Sequence, residues 1–249
     1  MKIIVSKDAE SLGKAAAALA AQKISAAVGE HGSARILLST GASQFETLNA
    51  LLASDVDWSK VTMFHLDEYI GLPESHKASF RKYLKERFVS KVPLARAVFV
   101  DGEGDVRANI ERLNAEIESA PIDVGVVGIG VNGHIAFNDP PADFETRQSY
   151  KIVDLDEKCK EQQVGEGWFA AIGNVPRQAV TMTPYRIMRC KSIVSAVPHL
   201  VKAEAIRATL EGEVTNLVPA TLLKTHADWT LFIDNESASL CRAEMLAME

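Results

Sequence analysis

Cysteine is scarce in this sequence, occurring three times in 249 residues, at Cys159, Cys190 and Cys241. The number is odd, the positions lie far apart and no pair has metal-ligand spacing. Reduced thiols and a cytoplasmic location are therefore the expectation. Basic charge is not in surplus either. Lys and Arg number 27 against 33 Asp and Glu, a formal net charge of −6, which argues against general nucleic-acid binding. A few local donors can still hold an anion whatever the total. No apolar run approaches the roughly 18 residues of a spanning helix. The opening Met1-Lys2-Ile3-Ile4-Val5-Ser6 is too short in apolar length for a signal peptide, so no membrane partner is expected. Internal repeats, low-complexity tracts and Gly/Ser linkers are missing as well, and residues 1–249 read as a single domain.

What is present is a regular alternation of strand-like and helical patterns. Strands are expected at 2–5, 35–38, 61–66, 98–100, 124–127, 179–183, 192–196 and 229–233. A long Ala-rich helix starts at Asp8 and is expected to close at Gly29. Amphipathic helices follow at 45–52, 79–88 and 201–210, and Asp105 caps another with Ile110, Leu113 and Ile117 on one face. A short helix is read at 219–223 and a further one after Asp234. Residues 148–177 are the least periodic and are expected to form loops and short pieces. The alternation predicts an α/β fold: one doubly wound, Rossmann-like domain with about seven mostly parallel strands.

In such a sheet ligands gather at the carboxyl ends of the strands, and the polar residues that follow each strand are the candidates for chemistry. After 124–127 comes Gly128-Ile129-Gly130-Val131-Asn132-Gly133-His134-Ile135-Ala136-Phe137-Asn138-Asp139-Pro140. Three glycines there permit tight turning and close approach of a ligand. His134 can relay protons near neutral pH, with Asp139 as its carboxylate partner; the bland alternative is a histidine bonding loop carbonyls. After 35–38 the turn Ser39-Thr40-Gly41-Ala42-Ser43 precedes a helix, where free backbone amides and the Thr40 and Ser43 hydroxyls suit a phosphate; plain capping by Ser43 is the alternative. At the end of 61–66, Asp67 and Glu68 form an acidic pair, of which a half-buried member can act as a base. Alternatively, Asp67 caps the next segment and Glu68 pairs with a cation. Lys202 opens a helix after 192–196, placed either to meet an anion or to be solvated.

Taken together, these stretches resemble the glucosamine-6-phosphate deaminase/isomerase family. The resemblance rests on Leu66-Asp67-Glu68-Tyr69-Ile70-Gly71-Leu72, on 130–140 with its Gly-His-Ile-Ala-Phe-Asn string, and on Ser39-Thr40-Gly41 and the region from Val197 to Ala203. It covers nearly the whole chain. The family's 6-phosphogluconolactonase relatives typically carry a Gly-His-Thr-Ala-Ser type of string instead. The resemblance implies a phosphorylated amino sugar as the small-molecule partner, with aldose–ketose isomerisation joined to loss of ammonia and neither metal nor organic cofactor. It assigns Asp67 as the base, with His134 opening the sugar ring and Asn132 and Asp139 beside it. Thr40, Gly41, Ser43, Glu68, Gly133 and Lys202 would hold the substrate. Because the family often forms trimers of dimers or smaller assemblies, homo-oligomer formation is a further expectation.

The chain departs from that pattern in three places. Asn132 stands where the deaminases usually have Asp, and cannot ionise, although its amide can orient a hydroxyl or the histidine. Asp139 is one methylene shorter than the usual Glu. Residues 162–169 lack the arginine that grips phosphate in the well-studied deaminases, with Arg177 and Lys160 the nearest replacements. Arg147 and Lys151 only partly match the allosteric basic cluster of some members. Galactosamine 6-phosphate is the alternative substrate; a sugar-phosphate sensor without turnover is the non-enzymatic alternative. Lactone hydrolysis is disfavoured by Asp67-Glu68-Tyr69 and by Ile135-Ala136-Phe137-Asn138.

Overall fold

The computed structural model describes residues 1–246. Seven parallel strands form the main sheet, β1 (Lys2–Ser6), β2 (Ala34–Leu38), β3 (Val61–His65), β5 (Arg96–Val98), β6 (Ile122–Val126), β9 (Cys190–Val197) and β10 (Trp229–Asp234). Their order across the sheet is β1-β10-β9-β6-β2-β3-β5. The chain therefore runs outward from β2 through β3 to β5, returns to the centre at β6, and continues the other way. Loops leaving β2 and β6 part in opposite directions, and this switch point is where an open α/β sheet has its crevice.

Alternation along the strands splits the apolar side chains into two layers. Ile36 and Leu38 of β2 join Met63, Val124 and Val126 on one face. There they pack against Leu12, Ala16, Ala20 and Ile24 of α1 (Ala9–His31), Leu48 and Leu51 of α2 (Phe45–Leu52), and Leu84 of α3 (Phe80–Arg87). Leu37 of β2 points the other way, into a cluster with Leu113 and Ile117 of α4 (Val106–Glu118) and Ile206 and Leu210 of α7 (Ala203–Glu211). Each fully buried Leu or Ile contributes roughly 1.5–3 kcal/mol of transfer free energy, so both faces are held by many such contacts.

A second, three-stranded antiparallel sheet, ordered β4-β8-β7, stands at the carboxyl edge of the first. It consists of β4 (Asp67–Tyr69), β7 (Tyr150–Asp154) and β8 (Gln178–Met182). Leu66 makes the corner, its carbonyl accepting from Met182 N at 2.8 Å. Segment 179–183, expected as a strand, thus belongs to this smaller antiparallel sheet. Residues 148–177 are also more regular than expected, because they supply β7 and helix α5 (Glu157–Gly165).

Several boundaries differ from the sequence expectation. Helix α1 passes through Gly29 and ends at Gly32, whose left-handed φ of +76° and N–H to Val28 O close it. At its start Asp8 and Ser11 form a reciprocal capping box. The edge strand expected at 98–100 is Arg96–Val98. The helix after β9 begins with a 3₁₀ turn, Leu200–Lys202, before α7. A short helix, α6 (Pro184–Ile187), separates β8 from β9, and Pro219–Thr225 is 3₁₀ rather than α. Beyond Asp234 the chain runs in turns to a short helix, α8 (Ala243–Leu246). Residues 247–249, part of the expected last helix, lie outside the described residues. Among the described residues no helix is long and apolar enough to cross a membrane.

Candidate active site

The loops that part at the switch point are stitched together at their base. Ser39 N donates to Val126 O at 3.0 Å, and Ser39 Oγ accepts from Gly128 N at 3.2 Å. Above this seam opens a cleft. It is lined by Ser39, Thr40, Gly41 and Ser43 after β2, Leu66 and Asp67 after β3, Gly128 to Gly130 and His134 after β6, and Lys202 after β9. Four parallel strands thus each deliver polar groups to one cavity. Phe80 and Phe137, stacked with ring centroids 5.5 Å apart, and Gln162, Gln163 and Glu166 of the α5 region complete the wall.

Asp67 is 5 % exposed against these aromatic rings. Burial pushes its carboxyl up to about 8, and the charge of the neighbouring Glu68 adds to the shift, partly offset by the Phe137 backbone amide. The cause is the cost of placing a carboxylate where little water solvates it.

On the β6 loop, Gly130 gives the imidazole of His134 its place: a Cβ at Gly130 would lie 2.2 Å from His134 Nε2. The ring's other nitrogen, Nδ1, lies 3.0 Å from Asp139 Oδ1, off the ideal hydrogen-bond line. Asn132 braces this pair from both sides. Its Nδ2 donates to Asp139 Oδ1 at 3.2 Å, and its Oδ1 accepts from His134 N at 3.1 Å. Burial works against the Asp139 charge, but hydrogen bonding and charge from His134, and then the Asn132 amide, hold it below the usual carboxylate range.

Lys202 is also buried, and burial lowers its pKa against the opposing pull of Glu166. Among the described residues no carboxylate comes within 4.0 Å of its ammonium. A desolvated cation without a partner is a strong attractor for an anion. Across the cavity, neither the 3₁₀ turn Ala42–Gln44 nor α2 has a side-chain cap. Ser43 therefore does not cap; Gln44 N donates to Gly41 O at 3.1 Å, and the preceding amides of Gly41, Ala42 and Ser43 stand at the cleft without a hydrogen-bond partner among the described residues.

Of the sequence candidates, Thr40, Gly41, Ser43, Asp67, His134 and Lys202 meet in the cavity. Asn132 and Asp139 sit behind the imidazole, outside the lining. Gly133 does not face the cavity: at φ +80° it turns the loop, and a Cβ there would come within 2.8 Å of Val218.

Glu68, expected to contact substrate, is turned away and fully buried. It accepts from Ser79 Oγ at 2.8 Å, Arg81 N at 2.9 Å and Arg81 Nε at 3.3 Å, at the start of α3. Neither Arg177 nor Lys160 reaches the lining.

Sequence reasoning also missed Phe80, Gln163 and Glu166, which no motif marks, and Cys159. Ligand atoms of His134, Asp139 and Cys159 lie within 4.8 Å of one another, a donor grouping that the sequence spacing concealed. Burial pushes the Cys159 thiol far above its usual value, so it stands there as a neutral group.

Fold and cavity together define an α/β protein that gathers a buried carboxyl, an imidazole and a buried lysine at the switch point of a parallel sheet. Residues 7–232 match the family described as glucosamine-6-phosphate isomerases/6-phosphogluconolactonase. The chain is 35% identical over 243 residues to a glucosamine-6-phosphate deaminase of Lactobacillus delbrueckii subsp. bulgaricus, covering 97% of this chain and 100% of that one. A glucosamine-6-phosphate deaminase of Streptococcus pneumoniae is 34% identical over 96% of this chain and 100% of its own. Among solved structures, a monomeric glucosamine-6-phosphate deaminase superposes with a TM-score of 0.88 at 31% identity, covering 96% of this chain and 100% of that one. A 6-phosphogluconolactonase from Thermotoga maritima shares the fold, with a TM-score of 0.78 at 16% identity over 94% of this chain and 99% of its own. The chain belongs to the glucosamine-6-phosphate isomerase/6-phosphogluconolactonase family.

Proposed function

We propose that this protein is a glucosamine-6-phosphate deaminase, which converts glucosamine 6-phosphate and water to fructose 6-phosphate and ammonia. The observation that carries the reading is the convergence, in one cavity, of a carboxyl raised to about 8 at Asp67, a histidine backed by a carboxylate, and a buried unpaired lysine. Curated relatives named for this reaction match along nearly their whole length.

In this reading the phosphate binds the Thr40-Gly41-Ala42-Ser43 turn and Lys202. Its binding energy fixes the reacting carbons, which are remote from it. His134, oriented by Asp139 and Asn132, moves a proton between the C1 hydroxyl and the ring oxygen and opens the ring. Asp67 as carboxylate then takes the proton from C2 and returns it to C1. The C2 amine becomes an imine, water adds to it, and ammonia leaves with the ketose. A base of pKa near 8 is stronger than an ordinary carboxylate by several powers of ten, at the cost of being ionised in roughly a tenth of molecules at pH 7.

The test incubates purified protein with glucosamine 6-phosphate and follows ammonia and fructose 6-phosphate, with galactosamine 6-phosphate and 6-phosphogluconolactone alongside. The expected result is one ammonia per ketose from glucosamine 6-phosphate. Turnover of the lactone alone, or binding without turnover of either amino sugar, contradicts the proposal.

A further inference from the structure

Helix α5 carries a polar residue where its packing calls for an apolar one. Cys159 and Gln163 are the buried residues of this helix, and four residues apart they share one face. Cys159 joins an apolar cluster with Tyr69, Phe137, Leu155 and Phe169. Gln163, one turn on, is 5 % exposed and lines the cavity beside Asp67, His134 and Lys202. Its Oε1 has no hydrogen-bond partner. A buried amide oxygen in that state costs about 1–3 kcal/mol, and folded proteins keep few of them. Its neighbours are satisfied: Gln162 Nε2 donates to Glu166 Oε1 at 2.7 Å, and Glu166 Oε2 accepts from Trp168 Nε1 at 3.0 Å. Gln163 therefore faces the cavity with its capacity unspent.

We propose that Gln163 is a hydroxyl-reading residue of the substrate site, its side-chain amide hydrogen-bonding a secondary hydroxyl of the sugar and setting selectivity between epimers. The inference rests on the sugar-phosphate reading above. In that reading Asp67, His134 and Lys202 are taken up by phosphate binding and proton transfer, and Glu166 by Gln162 and Trp168, which leaves the hydroxyls to neutral polar groups. An amide donates and accepts, as a hydroxyl does, and binding of the sugar relieves the unpaired oxygen. A site built this way rejects an epimer whose hydroxyl points elsewhere, because its buried polar group then stays unpaired.

The experiment compares the parent with Gln163→Met, which keeps length and volume but cannot hydrogen-bond, and with Gln163→Leu. Three quantities are read: kcat/KM for glucosamine 6-phosphate and galactosamine 6-phosphate, the thermal midpoint, and calorimetric affinity for glucosamine 6-phosphate in an Asp67→Asn background. The expected result is a fall in kcat/KM of about 10–100-fold on the preferred epimer. The ratio between epimers should shrink, and the midpoint should stay equal or rise, because an unpaired polar group has been removed. Both variants keeping parental kcat/KM and epimer ratio overturns the proposal, as does loss of activity only in step with loss of thermal stability. Should the parent release ammonia from neither sugar, the proposed reaction fails, and the affinity measurement decides the subsite alone. Weaker binding in Gln163→Met then supports it, and equal binding overturns it.

Discussion

Asp67 is held where ionisation is costly, and that has a consequence for stability as well as for chemistry. Its folded-state pKa of about 8 lies above the ordinary 3.8, so between those values the folded chain binds more protons than the unfolded one. Stability contributed by this group is present at low pH and is lost as pH rises toward 8. Asp67→Asn keeps the shape and cannot ionise. Its thermal midpoint should therefore exceed the parent's at pH 9, by an amount that shrinks as pH falls and vanishes only below the ordinary value of 3.8; a gap independent of pH contradicts the assignment. Asn132 makes a second prediction at this scale. With its amide donating to Asp139 at 3.2 Å, a carboxylate in its place would put two like charges together beside the imidazole. Asn132→Asp should lower kcat/KM at pH 7 by about tenfold or more, and a raised rate would show that the amide limits the relay. Asp67 and His134 were legible in the sequence because their chemical types occur in specific strings at strand ends. Gln163 was not, because glutamine is an ordinary helix residue until tertiary packing buries it.

Adjacent residues on a strand point to opposite faces, which explains how the acidic pair of β4 divides its work. Asp67 faces the cavity and Glu68 faces α3, where it takes donors from Ser79 and Arg81 while Arg81 also reaches Asp101 and Glu103, each at 2.8 Å. Glu68 should therefore behave as a structural anchor. Glu68→Gln is expected to destabilise by about 2–4 kcal/mol in denaturant unfolding, since it leaves buried donors unmatched. The KM of the folded variant should stay near the parent's, and a raised KM with unchanged stability would restore the substrate role expected from the sequence. The elements hardest to read were β7 and α5. The first is short and only partly buried, and the buried face of the second holds a cysteine and a glutamine, so neither shows the apolar period that betrays a core element. Antiparallel placement of β8 was hidden for a related reason: strand propensity does not say which partner a strand takes, and of its partners β4 was read as the end of 61–66 and β7 as part of the loops and short pieces of 148–177.

At the scale of the whole molecule, the α/β alternation predicted the parallel sheet and the edge at which the site lies. It could not predict that a second small sheet stands on that edge, folding Asp67, Phe80, Phe137 and α5 over the switch point. Burial beneath that second layer raises the Asp67 carboxyl, so its pKa is a property of the assembled fold rather than of a motif. The proposed reaction is thereby tied to one titration. Ammonia release from glucosamine 6-phosphate is to be measured from pH 5.5 to 9.5 as kcat/KM, in the parent and in Asp67→Asn. The prediction is a rate that climbs with pH as Asp67 loses its proton and levels above about pH 8, with Asp67→Asn lower by at least about a thousandfold. A parental rate that falls as pH rises from 6 to 8, or an Asp67→Asn enzyme that releases ammonia at the parental rate, would contradict it.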